Sequence, residues 1–403
     1  MNIAIHPRSD VAARRSGKRR RLSDLLAENP HVDPFPEGWF VVDFAGNVKT
    51  DKLTSKKWLG EDIVYFRHPR TGEVVVTQAH CPHYGGHFDA YKKGGCVENG
   101  VITCPYHHMS FDPLNHGLVP GANISGSGRF RLKVYPTFEA YGFVLALRQR
   151  DETQPQLPKP DVSFPGVDDT DYAWGTETFG VFHGDIAVPL LANADYHHFR
   201  TVHGAPLVMP DDPFDVTEDG QISSWSFRTR ERYAHEDQYR PLMGGKSLKS
   251  RQKRWLGSVA KPGREPEELV QVRCWGVGAS LSKSSWFQPK WNLHLLSLLY
   301  ATPIDAFSYE VFANCGVATI TPMKTRLLQK MANRLGSKFH LWANIYFAKH
   351  DDLPFYTDGK IRLANPGYTP QETALKGWMN WWQNGFFSPE YIEMIEGYDL
   401  EFS

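Results

Sequence analysis

At 403 residues the chain is too long for one ordinary core, so two domains are expected. Lys plus Arg and Asp plus Glu both number 45, which leaves no overall field to draw nucleic acid or an anionic membrane. A composition of 41% hydrophobic and 13% aromatic residues suits a soluble, sheet-rich protein.

The longest apolar run, Leu293 to Ala301, is too short to span a bilayer. The five cysteines are unevenly spaced and suggest a reducing compartment, so a cytoplasmic location is expected. Near the N-terminus ARRSGKRRR (13–21) is strongly basic, and no apolar segment of a secretory signal follows it. Residues 1–33 are therefore read as a basic, flexible tail.

Regular structure is expected from Pro34, with short strands at Asp62 to His68, Glu73 to Thr77, Val101 to Thr103, Phe130 to Tyr135 and Gly142 to Leu147. Gly, Pro, Asn and Asp punctuate these runs, the pattern of a small all-β domain over 34–150. From residue 151 a Pro- and acid-rich stretch marks a boundary. The second domain, 151–403, carries longer β-like segments: Trp225 to Tyr233, Leu269 to Ser280, Leu293 to Thr302 and Phe307 to Ile320. Between Lys324 and Asp352, Leu327, Leu328, Met331, Leu335, Phe339, Trp342 and Tyr346 recur at helical steps. The fold class is thus α+β.

Two pairs of metal-binding residue types stand out in the first domain, Cys81-Pro-His83 and Cys104-Pro-Tyr-His107, with twenty residues between them. Two thiolates and two imidazoles suit either a tetrahedral zinc or a [2Fe–2S] cluster with Cys₂ on one iron and His₂ on the other. The alternation of Cys-x-His with a later Cys-x-x-His resembles the Rieske signature. His80, His87, His108 and His116 do not fit the spacing and are read as surface or supporting residues. Cys96, Cys274 and Cys315 are read as structural thiols.

Further on, NADYHHFRTVH (193–203) packs three histidines and an aspartate into eleven residues. Imidazoles at that density hold a metal, cluster by chance on a wet surface or satisfy a polar core, and alone the stretch allows zinc or nothing. Fe(II) that activates O₂, which the resemblance given below implies, is commonly held by two histidines and one carboxylate on one face, with the other positions open. His198 and His203 suit such a face; His197 does not. The carboxylate is sought after the long helix, where Asp352 continues the face of Leu341, Ile345 and Ala348, and Asp351 the more polar face of His340 and Asn344. Asp352 is preferred.

The Asp195-x-x-His198-x4-His203 motif following a Rieske pair resembles the oxygenase (alpha) components of Rieske non-haem iron oxygenases. The ketosteroid-hydroxylase and aminopyrrolnitrin-oxygenase types are the nearest in feel. The resemblance implies a Rieske domain followed by a helix-grip catalytic domain, in which an antiparallel sheet wraps a long helix. It implies a [2Fe–2S] cluster on Cys81, His83, Cys104 and His107, and Fe(II) on His198, His203 and Asp352. Asp195 would carry electrons from His107 of the partner subunit to the iron, which makes a homotrimer the expected assembly. Respiratory Rieske proteins add a disulfide; the matching positions here are Gly86 and Tyr106, so that bridge is absent. One position departs from the pattern: Ala192 stands where many relatives have Asn.

No nucleotide-binding glycine motif is visible, so NAD(P)H would act through a separate reductase, with or without a ferredoxin. The expected activity is hydroxylation of a small hydrophobic organic substrate with O₂. Desaturation, N-oxygenation, demethylation and oxidative cyclisation are the alternatives within the family. A non-catalytic electron carrier and a zinc-stabilised binding module are the alternatives outside it.

Overall fold

The computed structural model describes residues 18–90, 97–119, 130–161, 172–195, 198, 207–210, 213–230, 267–287, 292–319, 323–352 and 372–402. The chain forms two compact units, one of Glu37–Leu157 with Thr302–Ala306, the other of the remaining residues.

The first unit is built from short antiparallel strands: β2 (Gly38–Phe44), β3 (Thr54–Trp58), β4 (Glu61–Arg67), β5 (Val74–Gln78), β6 (Val97–Glu98), β7 (Val101–Thr103), β8 (Ser110–Asp112), β9 (Gly117–Leu118), β10 (Val134–Tyr135), β11 (Thr137–Ala140) and β12 (Phe143–Arg148). They assemble as three sheets, ordered β10-β5-β4-β3, β11-β12-β2 and β6-β7-β8-β9. Strand β4 alternates little because Ile63, Val64, Tyr65 and Phe66 are all buried, so both of its faces are covered. Only the last two residues of the expected strand Phe130 to Tyr135 are extended and paired. The segment 302–306 joins this unit through bonds from the Leu59 and Gly60 amides to the Pro303 and Ile304 carbonyls, 2.8 and 2.9 Å long.

The second unit holds β13 (Ala173–His183), β14 (Leu207–Pro210), β15 (Asp215–Val216), β16 (Ile222–Arg230), β17 (Glu267–Trp275), β18 (Ala279–Phe287), β19 (Asn292–Pro303) and β20 (Ser308–Thr319). They form one sheet in the order β13-β20-β19-β18-β17-β16-β14, with β15 on β16. The segment expected over Leu269 to Ser280 is two strands, because a turn with Gly276 at φ 56° splits it. Between β13 and β14, α2 (Ala187–Ala194) leads to Asp195.

The long helix α3 (Arg326–Phe347) is capped by Thr325, whose hydroxyl accepts from the Leu328 amide, and ends in a π-helical turn, Ala348–Asp352. It lies against β13 and β20 by way of small residues: a Cβ on Gly175 would come within 3.2 Å of Leu341, and one on Gly336 within 3.3 Å of Val317. Ser337, fully buried, accepts from the Val317 amide at 3.1 Å and also meets the Ala173 carbonyl, so its hydroxyl stands between the two edge residues of the ladder. This sheet and helix are the helix-grip arrangement that the resemblance implies. Against α2 and β16, α4 (Thr373–Phe386) buries Trp378, Trp381 and Trp382, and α5 (Pro389–Ile395) buries Tyr391.

One expectation is overturned. The basic segment does not stay flexible to residue 33: β1 (Lys18–Arg21) pairs in parallel with β21 (Tyr398–Glu401), and α1 (Leu22–Glu28) follows directly. The acidic edge YDLE accounts for this, with Arg19 3.6 Å from Asp399 and Arg21 4.0 Å from Glu401. Leu22 and Leu25 supply the apolar anchor, since both are buried. A run of charge was read as solvation, when its partner lay at the other end of the chain.

Candidate functional site

Cys81 and Cys104 open turns of the same construction. In the first, the Cys81 amide donates to the Gly86 carbonyl and the Gly85 amide to the Cys81 carbonyl, both at 2.9 Å. In the second, the Cys104 amide donates to Met109 at 2.8 Å and the His108 amide returns to Cys104 at 2.9 Å. The fourth residue after each cysteine is left-handed, Gly85 at φ 73° and His108 at φ 56°. Seven residues after each cysteine comes a buried phenylalanine, Phe88 or Phe111, and their rings meet edge to face at 5.9 Å. Two hairpin tips are thus held together over one small core that includes Ala79, Ile102, Met109 and Leu132.

Gly86 permits the close approach. A Cβ there would stand 3.3 Å from the Cys104 sulfur and 3.4 Å from the Tyr106 Cβ. The second distance is close to the roughly 3.5–4.5 Å between Cβ atoms across a disulfide. Positions 86 and 106 therefore do face one another, but glycine and tyrosine occupy them. Among the described residues Cys81, Cys104, Cys274 and Cys315 are free thiols; Cys96 lies outside those residues.

The donors are grouped in pairs. The thiols of Cys81 and Cys104 are buried and within hydrogen-bonding reach of each other. Burial, with the neighbouring sulfur, pushes the Cys81 thiol up to about 11, so two adjacent thiolates need a cation between them. The imidazoles of His83 and His107 lie with ring centres 5.0 Å apart, and Nδ1 of His83 is buried with no hydrogen-bond partner. Among the described residues no three of His, Cys, Asp and Glu converge on one metal-sized point. Sulfurs beside sulfurs and imidazoles beside imidazoles suit a two-iron cluster better than one tetrahedral zinc.

The excluded histidines take supporting places. His80 and His87 bridge the base of the first hairpin, and Nδ1 of His80 donates to the Gly85 carbonyl at 3.0 Å. Tyr84 and Tyr106 are exposed beside the His83 and His107 rings, at 4.2 and 4.1 Å between centres.

The second motif is described only in part. His198 turns back on its own helix end: its amide donates to Asp195 Oδ1 at 3.3 Å and its Nδ1 meets the Asp195 carbonyl. His197 and His203 lie outside the described residues, as does the side chain of Asp351. Asp352 is half-buried in the π-helical turn. Such turns widen the helix locally and are frequent at functional sites.

On the sheet-facing side of α3, His340 Nε2 is 3.2 Å from the Ser297 hydroxyl, and the Asn344 amide reaches Ser297 at 3.2 Å and the Cys315 sulfur at 3.4 Å. On β19 the alternate residues Leu296, Leu298 and Tyr300 are fully buried, whereas Leu295, Ser297 and Leu299 toward the helix are half-buried. Polar residues opposite an apolar stripe were the available signal.

Comparisons with known proteins agree with this geometry. The profile of the Rieske [2Fe–2S] domain family matches residues 38–135. Cholesterol 7-desaturase nvd of Drosophila melanogaster is 27% identical over 201 residues, 49% of this chain and 44% of that protein. Aminopyrrolnitrin oxygenase PrnD of Pseudomonas fluorescens is 29% identical over 209 residues, 46% of this chain and 54% of that protein. The chain spans about half the length of these curated relatives.

Among solved structures, the oxygenase–ferredoxin complex of carbazole 1,9a-dioxygenase superposes with a TM-score of 0.56 at 16% identity, over 93% of this chain and 99% of that one. Dicamba monooxygenase bound to dicamba gives 0.55 at 13%, over 89% and 96%; at such identity the likeness is one of fold. Residues 38–135 thus match the Rieske [2Fe–2S] domain family, and the chain as a whole is similar in fold to the oxygenase components of Rieske non-haem iron oxygenases.

Proposed function

We propose that this chain is the terminal oxygenase of a multicomponent system that oxidises a bulky apolar organic molecule with O₂. The observation that carries the reading is the pair of equivalent hairpins, which bring two buried thiols together and leave Nδ1 of His83 buried without a partner. Cys81 and Cys104 would hold one iron of the cluster; His83 and His107, neutral ligands, would hold the other and raise its potential. His198, His203 and Asp352 would hold the mononuclear iron. When bound, the cluster supplies single electrons and the mononuclear iron supplies O₂ activation.

The chain's own groups then orient and insulate. Asp195 fixes His198 through the amide bond, and in a trimer it would meet His107 of the partner subunit as the link between the two centres. The Ser297, His340 and Asn344 cluster offers hydroxyl, imidazole and amide groups beside Leu295 and Leu299, suited to orient an apolar substrate that carries an oxygen function. Electrons come from NAD(P)H through a separate reductase, with a ferredoxin as the immediate donor; the carbazole oxygenase, solved with its ferredoxin, supports that pairing.

Hydroxylation is the leading outcome. Desaturation is the second reading, favoured by the match to cholesterol 7-desaturase nvd. A match to 4beta-methylsterol monooxygenase of Methylococcus capsulatus, 29% identical over 112 residues, makes sterols the first substrates to try under either reading. The test is product analysis of reconstituted protein with sterols and a surrogate reductase. His198→Ala should abolish product while leaving the Rieske EPR signal, and Cys104→Ser should remove both. A colourless reconstituted protein, or full turnover in His198→Ala, would sink the reading.

A further inference from the structure

Helix α3 carries a four-residue repeat that its packing does not use. Arg326-Leu327, Lys330-Met331, Arg334-Leu335 and Lys338-Phe339 each pair a cation with a large apolar residue, and each recurs one step of four later. On a helix this makes two parallel slanting rows, one cationic and one apolar. The inner face toward β13 and β20 uses Gly336, Ser337 and Leu341 instead.

The apolar row is left in the open. Leu327 is 69% exposed, Leu335 67%, Trp342 58%, Phe339 57%, Met331 54% and Leu328 48%. These account for most of the exposed large apolar side chains among the described residues. A contiguous apolar face of this kind marks an interaction surface.

The cationic row is not there for the helix. No acidic residue occurs between Met323 and His350, so successive cations four apart repel, each pair costing about 0.2–0.5 kcal/mol. Lys324 and Arg326 also sit at the helix N-terminus, the end that disfavours cations. None of Lys324, Arg326, Lys330, Arg334 and Lys338 forms an ion pair among the described residues. An external anionic surface would relieve both penalties at once.

We propose that this face of α3 lies on the surface of an anionic lipid bilayer. Leu327, Met331, Leu335, Phe339 and Trp342 would enter the headgroup and upper acyl region, and the cationic row would reach lipid phosphates and carboxylates along flexible stems. The apolar row runs about 22 Å along a convex cylinder, which a fluid bilayer accommodates and a protein partner would have to match with a groove. A two-fold contact with a second copy would set the cationic row against itself, and a head-to-tail contact in a trimer would have to bring an acidic surface to it. The chain's net charge is zero, so the attraction is local and not one of the whole molecule. The proposal is independent of the reaction catalysed.

The experiment uses the full chain with its cluster and phosphatidylcholine vesicles, with and without phosphatidylserine. Co-sedimentation should require phosphatidylserine and weaken with salt. Lipids brominated near the headgroup should quench tryptophan emission, and Trp342→Phe should lose that quenching while still binding. Lys330→Glu with Arg334→Glu should lower partitioning by about tenfold or more, with the cluster absorbance unchanged.

Absence of binding to the anionic vesicles overturns the proposal. So does a Trp342 already shielded from aqueous quenchers in the protein alone, because the face is then covered by protein. Self-association, or capture of an acidic protein, that depends on the same two residues while vesicles do not bind would assign the face to that occupant instead.

Discussion

Cys81 and Cys104 begin turns with the same backbone bonds and the same left-handed fourth residue, each closed within six residues of chain. The second motif instead draws Asp195 and His198 from the end of a short helix, and Asp352 from a π turn far downstream. The first centre is thus specified by local closure and needs only that two hairpin tips meet. The proposed second centre would depend on a sheet and a long helix being in register before its groups could converge. The difference predicts where each centre is fragile.

The largest effects should come from the pair that joins the hairpins. Phe88→Ala and Phe111→Ala each delete a fully buried ring, at a cost of about 3–5 kcal/mol. If the two hairpins are equivalent, the costs should agree within about 1 kcal/mol, and because the rings touch, the double variant should lose less than their sum. Urea unfolding followed by cluster absorbance measures this. Clearly unequal single costs would break the equivalence.

For the second unit the corresponding weak point is Ser337. Its hydroxyl accepts from the Val317 amide and lies between helix and ladder, so Ser337→Ala strands a buried donor and should cost about 1–3 kcal/mol. Mononuclear iron retention should fall while the Rieske EPR signal persists. Loss of both together would mean that the two centres are not separately supported.

The same contrast explains what could be read from sequence. The hairpin frame was legible because the residues proposed as its ligands, its glycine and its turns lie within two short windows, 80–88 and 103–111. The long helix was legible from its apolar period, yet that period marks the exposed side, and the sheet-facing side is Ser337, His340 and Asn344. Burial against a close-approaching sheet selects small and polar groups there, which hydrophobic periodicity cannot reveal. The pairing of β1 with β21 was invisible for a different reason: parallel pairing of two chain ends leaves no local signal, only complementary charge. His108 was set aside as a non-ligand, and its left-handed backbone was not foreseen, because a histidine does not announce a positive φ as a glycine does.

The finest test concerns that position. Gly85 and His108 occupy the same place in the two turns, and a Cβ on Gly85 would meet nothing within 4 Å. Gly85→His should therefore cost only the backbone penalty of a left-handed non-glycine residue, about 1–2 kcal/mol, partly offset by a less flexible unfolded chain. The net loss should be roughly 0.5–1 kcal/mol, and His108→Gly should recover a similar amount. Equal and opposite shifts in the urea midpoint would show that the turns are interchangeable frames, with only His83 and His107 setting them apart. If His108→Gly destabilises instead, the His108 imidazole makes a contribution that outweighs its strain, and the second turn is the specialised one.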